Sequence, residues 1–381
     1  MSRLCSFVVA FLVTLTISIV SASAQSPGVT RSLFNGKNLD NWIVTGCEVV
    51  VENGNMLLKS GNGWVRSHHR YRDFILEVDW KALKAAEYDS GIYIRADMPP
   101  AKANWPRKTQ INLKQGLEGN LTSIKEAAST GLIKPGEWNH FKVTVIGNSA
   151  AMEINGKPAW KTEVLDNPNG YVGFQCEEPL GGQFEFKNIT ITELGYESLF
   201  NGKDLSSWEG AGADASLCWL VEDAAIKCDG KKGPWLRSAK EYGDFNFRTD
   251  YRLLAGGNSG VFIRVPKDGN HHGPNSGIEV QCLDDADPKY AKLKDYQYSA
   301  GLYDFVGPNP RVSRPVGEWN TLEINCVGHR YTITHNGFVV VEADGDQVPE
   351  LSKRLLKGYL GLQNHSEAVW FRNVRVGEAV K

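Results

Sequence analysis

Four side chains suited to acid–base chemistry lie in the second half of this 381-residue chain: His271, His272, Glu279 and His365. Imidazole and carboxylate groups can move protons near neutral pH, and both can also bind a divalent metal ion. Gln281 lies two residues after Glu279, so a strand at this position would direct both side chains to one face. No compact metal-binding motif such as H-E-x-x-H is present, so the spacing leaves the acid–base and metal roles open.

The chain carries one sequence pattern twice. Residues 32–42 (SLFNGKNLDNW) return as residues 198–208 (SLFNGKDLSSW) with eight of 11 positions identical. Further segments return in the same order, among them SGIYIR as SGVFIR, GEWN as GEWN and GYVGFQ as GYLGLQ. The unit is far longer than a solenoid repeat, which indicates a tandem duplication of one domain. We assign residues 27–195 to the first copy and residues 196–381 to the second.

The two copies differ at the positions that could carry chemistry. Gln110 stands where the second copy has Glu279, and Glu177 stands where it has His365. The first-copy loop that matches His271 and His272 contains no histidine. We therefore predict that the second copy is active and that the first is degenerate.

Strand patterns dominate both copies. Residues 74–80 (FILEVDW) alternate between apolar and polar side chains, as a half-buried strand does. Asn336-Gly337 joins two strand-like runs, 331–335 and 338–342, and this dipeptide is a strong hairpin signal. Many short strands separated by turn residues predict an all-β fold in which each copy is a sandwich of two antiparallel sheets.

The N-terminal segment predicts where the protein is sent. Residues 1–24 contain Arg3, an apolar run from Leu4 to Val20 and a small-residue cleavage site, which predict a signal peptide and export to the periplasm or the outside. The run is too short to span a bilayer, so we expect no membrane-embedded segment.

The net charge is −2 with no basic stripe, which argues against a nucleic-acid partner. A Cys218–Cys228 bridge is one alternative and small buried thiols are the other, while Leu57 occupies the first-copy place of Cys228.

Each copy resembles the 3-keto-disaccharide hydrolase domain family, also described as 3-keto-glucoside 1,2-lyase/3-keto-2-hydroxy-glucal hydratase. The resemblance is carried by residues 199–208 (LFNGKDLSSW), 258–264 (NSGVFIR), 278–281 (IEVQ), 317–320 (GEWN) and 361–365 (GLQNH). It implies two tandem concanavalin A-like jelly rolls. It also implies cleavage of 3-keto-glycosides, because a ketone at C3 acidifies the proton at C2 and allows elimination at C1, followed by hydration.

The resemblance, combined with the difference between the copies, assigns roles to residues. His365 or Glu279 is expected to be the base. Arg264, Gln281, Gln363 and Asn258 are expected to bind the sugar. Asp284, His271 and His272 are the candidates for holding a divalent metal ion or donating a proton, and no organic cofactor is expected.

The alternative function is a lectin-like, non-catalytic carbohydrate-binding module. Fold alone does not choose between a lectin and an enzyme, and exposed tryptophans commonly stack on sugar rings. Trp64, Trp105 and Trp235 are the candidate stacking platforms, with core packing as the other interpretation. Either function predicts an oligosaccharide or glycoside as the partner, and the sequence leaves the oligomeric state open.

Overall fold

The computed structural model describes residues 28–365 and 367–381, and the predicted signal peptide, residues 1–24, lies outside this part. The described chain is all-β, with 24 strands and four single-turn 3-10 helices at Ala215–Leu217, Pro288–Tyr290, Asp295–Gln297 and Leu351–Lys353. In the part of the chain described, no helix is long and apolar enough to cross a membrane. The predicted fold class is thereby confirmed.

The strands follow one another along the chain. In the first copy they are β1 (Val29–Ser32), β2 (Trp42–Glu52), β3 (Asn55–Tyr71), β4 (Phe74–Ala82), β5 (Gly91–Ala96), β6 (Gln110–Asn112), β7 (Asn139–Ile146), β8 (Ser149–Ile154), β9 (Lys157–Thr162), β10 (Gly170–Glu178) and β11 (Phe184–Glu193). In the second copy they are β12 (Tyr196–Ser198), β13 (Trp208–Gly210), β14 (Trp219–Glu222), β15 (Ala225–Cys228), β16 (Leu236–Tyr242), β17 (Phe245–Leu253), β18 (Asn258–Val265), β19 (Ile278–Leu283), β20 (Asn320–Val327), β21 (Arg330–His335), β22 (Phe338–Asp344), β23 (Gly358–Leu362) and β24 (Val369–Gly377).

Local sequence patterns account for these strands. Strand β4 alternates strictly between buried and half-buried residues, so one of its faces packs into the core as predicted. Strands β21 and β22 pair across Asn336 and Gly337, whose φ angles of 47° and 83° are those that a two-residue hairpin turn requires. The predicted hairpin is therefore confirmed.

Each copy forms a jelly-roll sandwich around its own core. In the second copy a five-stranded sheet, β13-β16-β23-β18-β19, faces an eight-stranded sheet, β14-β15-β24-β17-β20-β21-β22 with β12 on β24. In the first copy the long strand β3 runs through both layers, so all 11 strands join into one curled sheet. The second copy interrupts the matching strand between Cys228 and Leu236. One apolar cluster fills each sandwich.

A buried ionic network joins the two copies. Glu193, only 1% exposed, binds Arg31 of the first copy and both Arg248 and Arg375 of the second. Glu323 of the second copy binds Arg248 at 3.2 Å. Burial alone would raise the pKa of Glu193, but the three guanidinium groups outweigh it and hold that pKa well below the usual range. The network therefore consists of charges that stabilise one another away from water.

Neighbouring contacts extend the interface between the two copies, which we call the seam. His69 Nδ1 lies 2.8 Å from Glu323 Oε2, and His68 Nδ1 lies 2.9 Å from the hydroxyl of Thr321. The β21–β22 turn touches the first copy, where Arg66 Nη2 donates to the carbonyl of Gly337 at 3.1 Å. These contacts are heterologous, since β20 and the β21–β22 turn of the second copy meet the end of β3 in the first.

His335 makes stability depend on pH. It is 1% exposed, its Nε2 lies 2.9 Å from the hydroxyl of Tyr251, and burial lowers its pKa to about 3. The unfolded chain therefore binds a proton near pH 6.5 that the folded chain refuses, so stability falls with decreasing pH in this window by about 1.4 kcal/mol per pH unit. The variant His335→Gln should remove that contribution, as measured by denaturant unfolding between pH 5 and pH 7. An unchanged slope would show that His335 does not titrate on unfolding.

Candidate active site

A cavity of about 220 Å³ opens on the outer face of the five-stranded sheet in the second copy. Eight residues line it: Asn258, His271, His272, Glu279, Gln281, Tyr303, Gln363 and His365. Strands β18 and β19 and the segment after β23 supply five of them, and two loops supply the histidine pair and Tyr303. Seven of the nine residues predicted from the sequence are thus brought together.

Strand alternation positions the acid and the amide of β19. Ile278, Val280 and Cys282 point into the core, so Glu279 and Gln281 point into the cavity. Each of these two polar residues is only 4% exposed, because the loops around them close over the sheet. Glu279 and Gln281 therefore share one face of β19 as predicted, and this face forms the floor of a covered pocket.

Glu279 has the electrostatics of a buried base. Burial raises its pKa to about 8, the nearby charge of Asp304 adds to this rise, and a hydrogen bond from Gln363 opposes it. At neutral pH the carboxyl group is largely protonated, and the carboxylate form is a stronger base than a solvated one. A strongly shifted pKa in a cleft is typical of a catalytic group.

His271 is arranged to exchange a proton with Glu279. Its Nε2 lies 3.4 Å from Glu279 Oε2, and its Nδ1 lies 3.2 Å from the carbonyl of Gly269. A carbonyl can only accept, so Nδ1 carries the proton and Nε2 of the neutral ring presents a lone pair to Glu279. Burial lowers the pKa of His271 and favours this neutral form. The ring is stacked on Phe262 with 4.7 Å between centroids, which fixes its orientation.

Gly260, which pairs with Gln281 in the β18–β19 ladder, leaves room for the side chain of Glu279. A Cβ on Gly260 would lie 2.2 Å from Glu279 Oε1, far inside any allowed contact. The first copy repeats the arrangement, since a Cβ on Gly91 would lie 2.1 Å from Gln110 Nε2. Glycine is therefore required at this position of the SG-x-x-IR strand, because a side chain of the neighbouring strand occupies the space that a Cβ would take.

Polar groups around the base are ready to hold a ligand. Oε1 of Gln363 is buried and has no hydrogen-bond partner among residues 28–365 and 367–381. His272 Nδ1 lies 3.1 Å from Asp304 Oδ2, and His365 lies at the rim with Nδ1 3.7 Å from Glu367 Oε2. Such groups can bind sugar hydroxyls above Glu279.

Two predicted site residues lie elsewhere. Arg264 is 1% exposed, and it donates to the carbonyls of Gly243 and Gly328 and pairs with Asp244 Oδ1 at 3.0 Å. Asp284 accepts from the backbone nitrogens of Gly256 and Ala286 at 2.8 and 3.3 Å. Neither lines the cavity. Both therefore hold backbone segments in place.

The three candidate metal ligands are not gathered at one place, since His271 and His272 line the cavity and Asp284 does not. Within the described ranges, no group of three or more histidine, cysteine, aspartate or glutamate side chains could hold a metal ion. The cluster of His271, His272 and Glu279 thus does not fit an ion as it stands.

Sequence reasoning missed Tyr303 and Asp304. Both lie in the loop between β19 and β20, where the offset between equivalent positions of the two copies grows from 169 at Glu279 to 181 at Trp319. The loop thus contains 12 residues that the first copy lacks. The insertion directly after the strand whose acid the first copy lacks was the available signal.

The first copy fills the equivalent place with amides. Gln110 bonds to Gln175, whose Nε2 in turn donates to Glu177 Oε2 at 3.0 Å. Of the proposed stacking platforms, Trp64 is fully buried here against Tyr93, whereas Trp105 and Trp235 are partly exposed. No ionisable group stands where Glu279 stands in the second copy.

Comparison with known proteins matches both copies to one family of carbohydrate-active domains. The profile of the 3-keto-alpha-glucoside-1,2-lyase-like domain matches residues 29–192 and again residues 195–377. A Bacteroides thetaiotaomicron protein described as a 3-keto-disaccharide hydrolase is 31% identical over 233 residues, which cover 49% of this chain and 80% of that protein. A crystal structure of a candidate glycosyl hydrolase from Parabacteroides distasonis is 25% identical over 49% of this chain and 94% of its own, with a TM-score of 0.43. A carbohydrate-binding module from Bacillus subtilis is 14% identical over 45% of this chain and 96% of its own, with a TM-score of 0.34.

Proposed function

The chain belongs, through both of its copies, to the 3-keto-alpha-glucoside-1,2-lyase-like domain family, and we propose that its second copy cleaves 3-keto-disaccharides at the cavity around Glu279. The observation that carries this proposal is the buried Glu279–His271 pair, present in the copy that kept the acid and absent where Gln110 replaces it. Proton removal beside a ketone needs a positioned base of this kind.

The proposed reaction begins at C2 of the 3-keto sugar. The Glu279 carboxylate removes the C2 proton, and the bonding electrons pass to the C3 oxygen as an enolate. Neutral amide donors from Asn258, Gln281 and Gln363 stabilise that charge. Because the lone pair of His271 Nε2 faces Glu279, the captured proton can pass on to the histidine.

Elimination and hydration complete the cleavage. The enolate electrons return to form the C1–C2 double bond as the C1–O bond breaks, and the departing oxygen takes a proton from His365 or His272 at the rim. Water then adds to C1 while a proton returns to C2, which gives the 3-keto monosaccharide. The net reaction is hydrolysis, although its first half is an elimination.

The direct test supplies the purified mature chain with a 3-keto-disaccharide and with the matching unoxidised disaccharide. We expect release of the reducing partner sugar from the keto form alone, since only its C2 proton is acidified. In deuterated water the 3-keto product should carry deuterium at C2. A parallel reaction with chelator measures any requirement for a divalent ion.

Binding without release supports the alternative, a carbohydrate-binding module. The partly exposed Trp105 and Trp235 favour that reading, because exposed tryptophans stack on sugar rings. Calorimetric titration with the same disaccharides separates the two. Saturable binding of both sugars with no product from either would assign the lectin-like function.

The pH dependence of cleavage follows from Glu279. As the base it is active only when ionised, and its pKa is raised to about 8. We therefore expect kcat/KM to rise about tenfold per pH unit below pH 8 and to level off above it. Initial rates measured from pH 5.5 to pH 9.5 test this. A flat or falling profile below pH 8 would exclude Glu279 as the base.

A further inference from the structure

Trp235 packs between the five-stranded sheet and the loop that carries His271. A Cβ on Gly361 of β23 would clash with the six-membered ring of the indole, so this ring lies against the strand. A Cβ on Gly269, in the loop between β18 and β19, would lie 2.6 Å from Trp235 Nε1, so the other edge of the indole touches the loop. The half-buried indole thus contacts the sheet and the loop at once.

Two contacts connect Trp235 to the imidazole ring of His271. Phe262 of β18 meets the indole edge-to-face, with 5.4 Å between ring centroids and 80° between planes, and its ring also stacks on that of His271. Gly269, which the indole touches, provides the carbonyl that accepts the hydrogen bond from His271 Nδ1. Phe262 therefore sets the plane of the imidazole and Gly269 sets its tautomer, and both rest on Trp235.

The first copy has the same support beneath a different loop. Trp64 and Tyr93 meet edge-to-face with 5.9 Å between centroids, and a Cβ on Gly173 would lie 3.0 Å from Trp64 Cε3. These three residues are the counterparts of the tryptophan, phenylalanine and β23 glycine of the second copy. The loop between β5 and β6 adds Trp105 to this cluster. Both copies thus support a loop on the tryptophan, and in the second copy that loop carries a histidine.

A buried arginine holds the other part of the His271 loop. Arg354 is 8% exposed, and its Nη1 lies 3.2 Å from the carbonyl oxygens of both His271 and Gly277. It also donates to the carbonyl of Gly273. Arg354 therefore fixes the backbone from His271 onward. Loss of the Trp235 side chain should loosen the preceding segment and the imidazole ring, while the rest of the loop stays attached.

We propose that Trp235 is a positioning residue that keeps the ring of His271 in the orientation and tautomer needed to take a proton from Glu279. This inference rests on the proposed function, in which the C2 proton passes from Glu279 to His271. In that transfer the O–H bond of Glu279 breaks and an N–H bond forms at Nε2, which leaves a carboxylate and an imidazolium. Only the tautomer with its proton on Nδ1 offers a lone pair at Nε2. Trp235 thus acts on the chemical step and not on sugar binding.

The kinetic test compares two half-buried tryptophans of the second copy. Trp235→Ala is expected to lower kcat by about 10- to 100-fold with KM little changed, because a small misplacement at a reacting group is costly. Trp235→Phe should restore most of kcat, since a phenyl ring can still meet Phe262 edge-to-face. The control is Trp319→Ala, because Trp319 contacts Arg252 and Arg372 and does not line the cavity. Its kcat should equal that of wild type, and equal losses in both alanine variants would overturn the proposal.

The tautomer of His271 tests the proposal without substrate. Nitrogen-15 NMR of the neutral ring, assigned with His271→Gln, shows which ring nitrogen carries the proton. We expect the Nδ1-protonated form alone in wild type, Trp235→Phe and Trp319→Ala, and a mixture of both tautomers in Trp235→Ala. The Nδ1-protonated form alone in Trp235→Ala would contradict the proposed role.

The two measurements separate this inference from the proposed function. A wild-type chain that cleaves no 3-keto-disaccharide would refute the function, yet the spectra would still show whether Trp235 holds the ring. If Trp235→Ala does not fold, Trp235→Leu takes its place. Leucine keeps apolar bulk on the sheet but lacks the flat ring that Phe262 and Gly269 contact, so the same tautomer mixture and the same loss of kcat are expected.

Discussion

Glu279→Gln is expected to lower kcat/KM for a 3-keto-disaccharide by about 10²- to 10⁴-fold, which is the usual contribution of a positioned general base. The substitution keeps the shape of the side chain and removes its ability to take a proton. It also reproduces the residue of the first copy, Gln110. The loss should fall mainly on kcat, because the amide can still bind the sugar.

The matched control removes an acid from the equivalent region of the first copy. Glu177→Gln changes the residue that corresponds to His365, in the copy that we expect to be inactive. Activity should stay within about twofold of wild type, since surface and structural changes far from the chemistry seldom alter it more. Equal losses in both variants would mean that both copies act. Full activity in Glu279→Gln would refute the assignment of the base.

Much of the candidate site was predictable because strands alternate. A period of two put Glu279 and Gln281 on one face, and comparison of the copies singled out Glu279 and the three histidines. Arg264 shows where the same rule fails. Its φ of 50° and the register shift between Phe262 and Val265 rotate the side chain away from the face that alternation assigns to it.

Turns and insertions account for other differences. Asp284 follows directly after β19, where its carboxylate binds backbone nitrogens of neighbouring turns, as aspartate often does at strand ends. Tyr303 and Asp304 belong to a loop without a counterpart in the first copy, so neither periodicity nor repeat comparison could place them.

The seam between the copies was beyond sequence reasoning for a different reason. Two of its arginines are not repeated: Arg248 corresponds to Glu77, and Arg31 corresponds to Glu197. When the two copies are compared, these differences therefore look like ordinary changes at solvent-exposed positions. The seam therefore depends on residues that differ between the copies, and comparison of the repeats does not single them out.

Glu193→Gln is expected to destabilise the chain by about 3–5 kcal/mol, because it removes one partner from a buried ion network. Arg31, Arg248 and Arg375 would keep their positive charges in a place closed to water, and of their ion pairs with Glu193 and Glu323 only Arg248–Glu323 would remain. The amide can accept hydrogen bonds but cannot offset charge. Denaturant unfolding followed by circular dichroism and tryptophan fluorescence measures the loss.

The control for Glu193→Gln is a substitution of the equivalent glutamate in the second copy, Glu378. Glu378 also faces an arginine of the other copy, Arg72, at 3.0 Å, but its side chain is 78% exposed. Glu378→Gln should therefore cost no more than about 1 kcal/mol, as exposed ion pairs do. A loss for Glu193→Gln as small as this one would mean that apolar contacts, and not the buried charges, hold the two copies together.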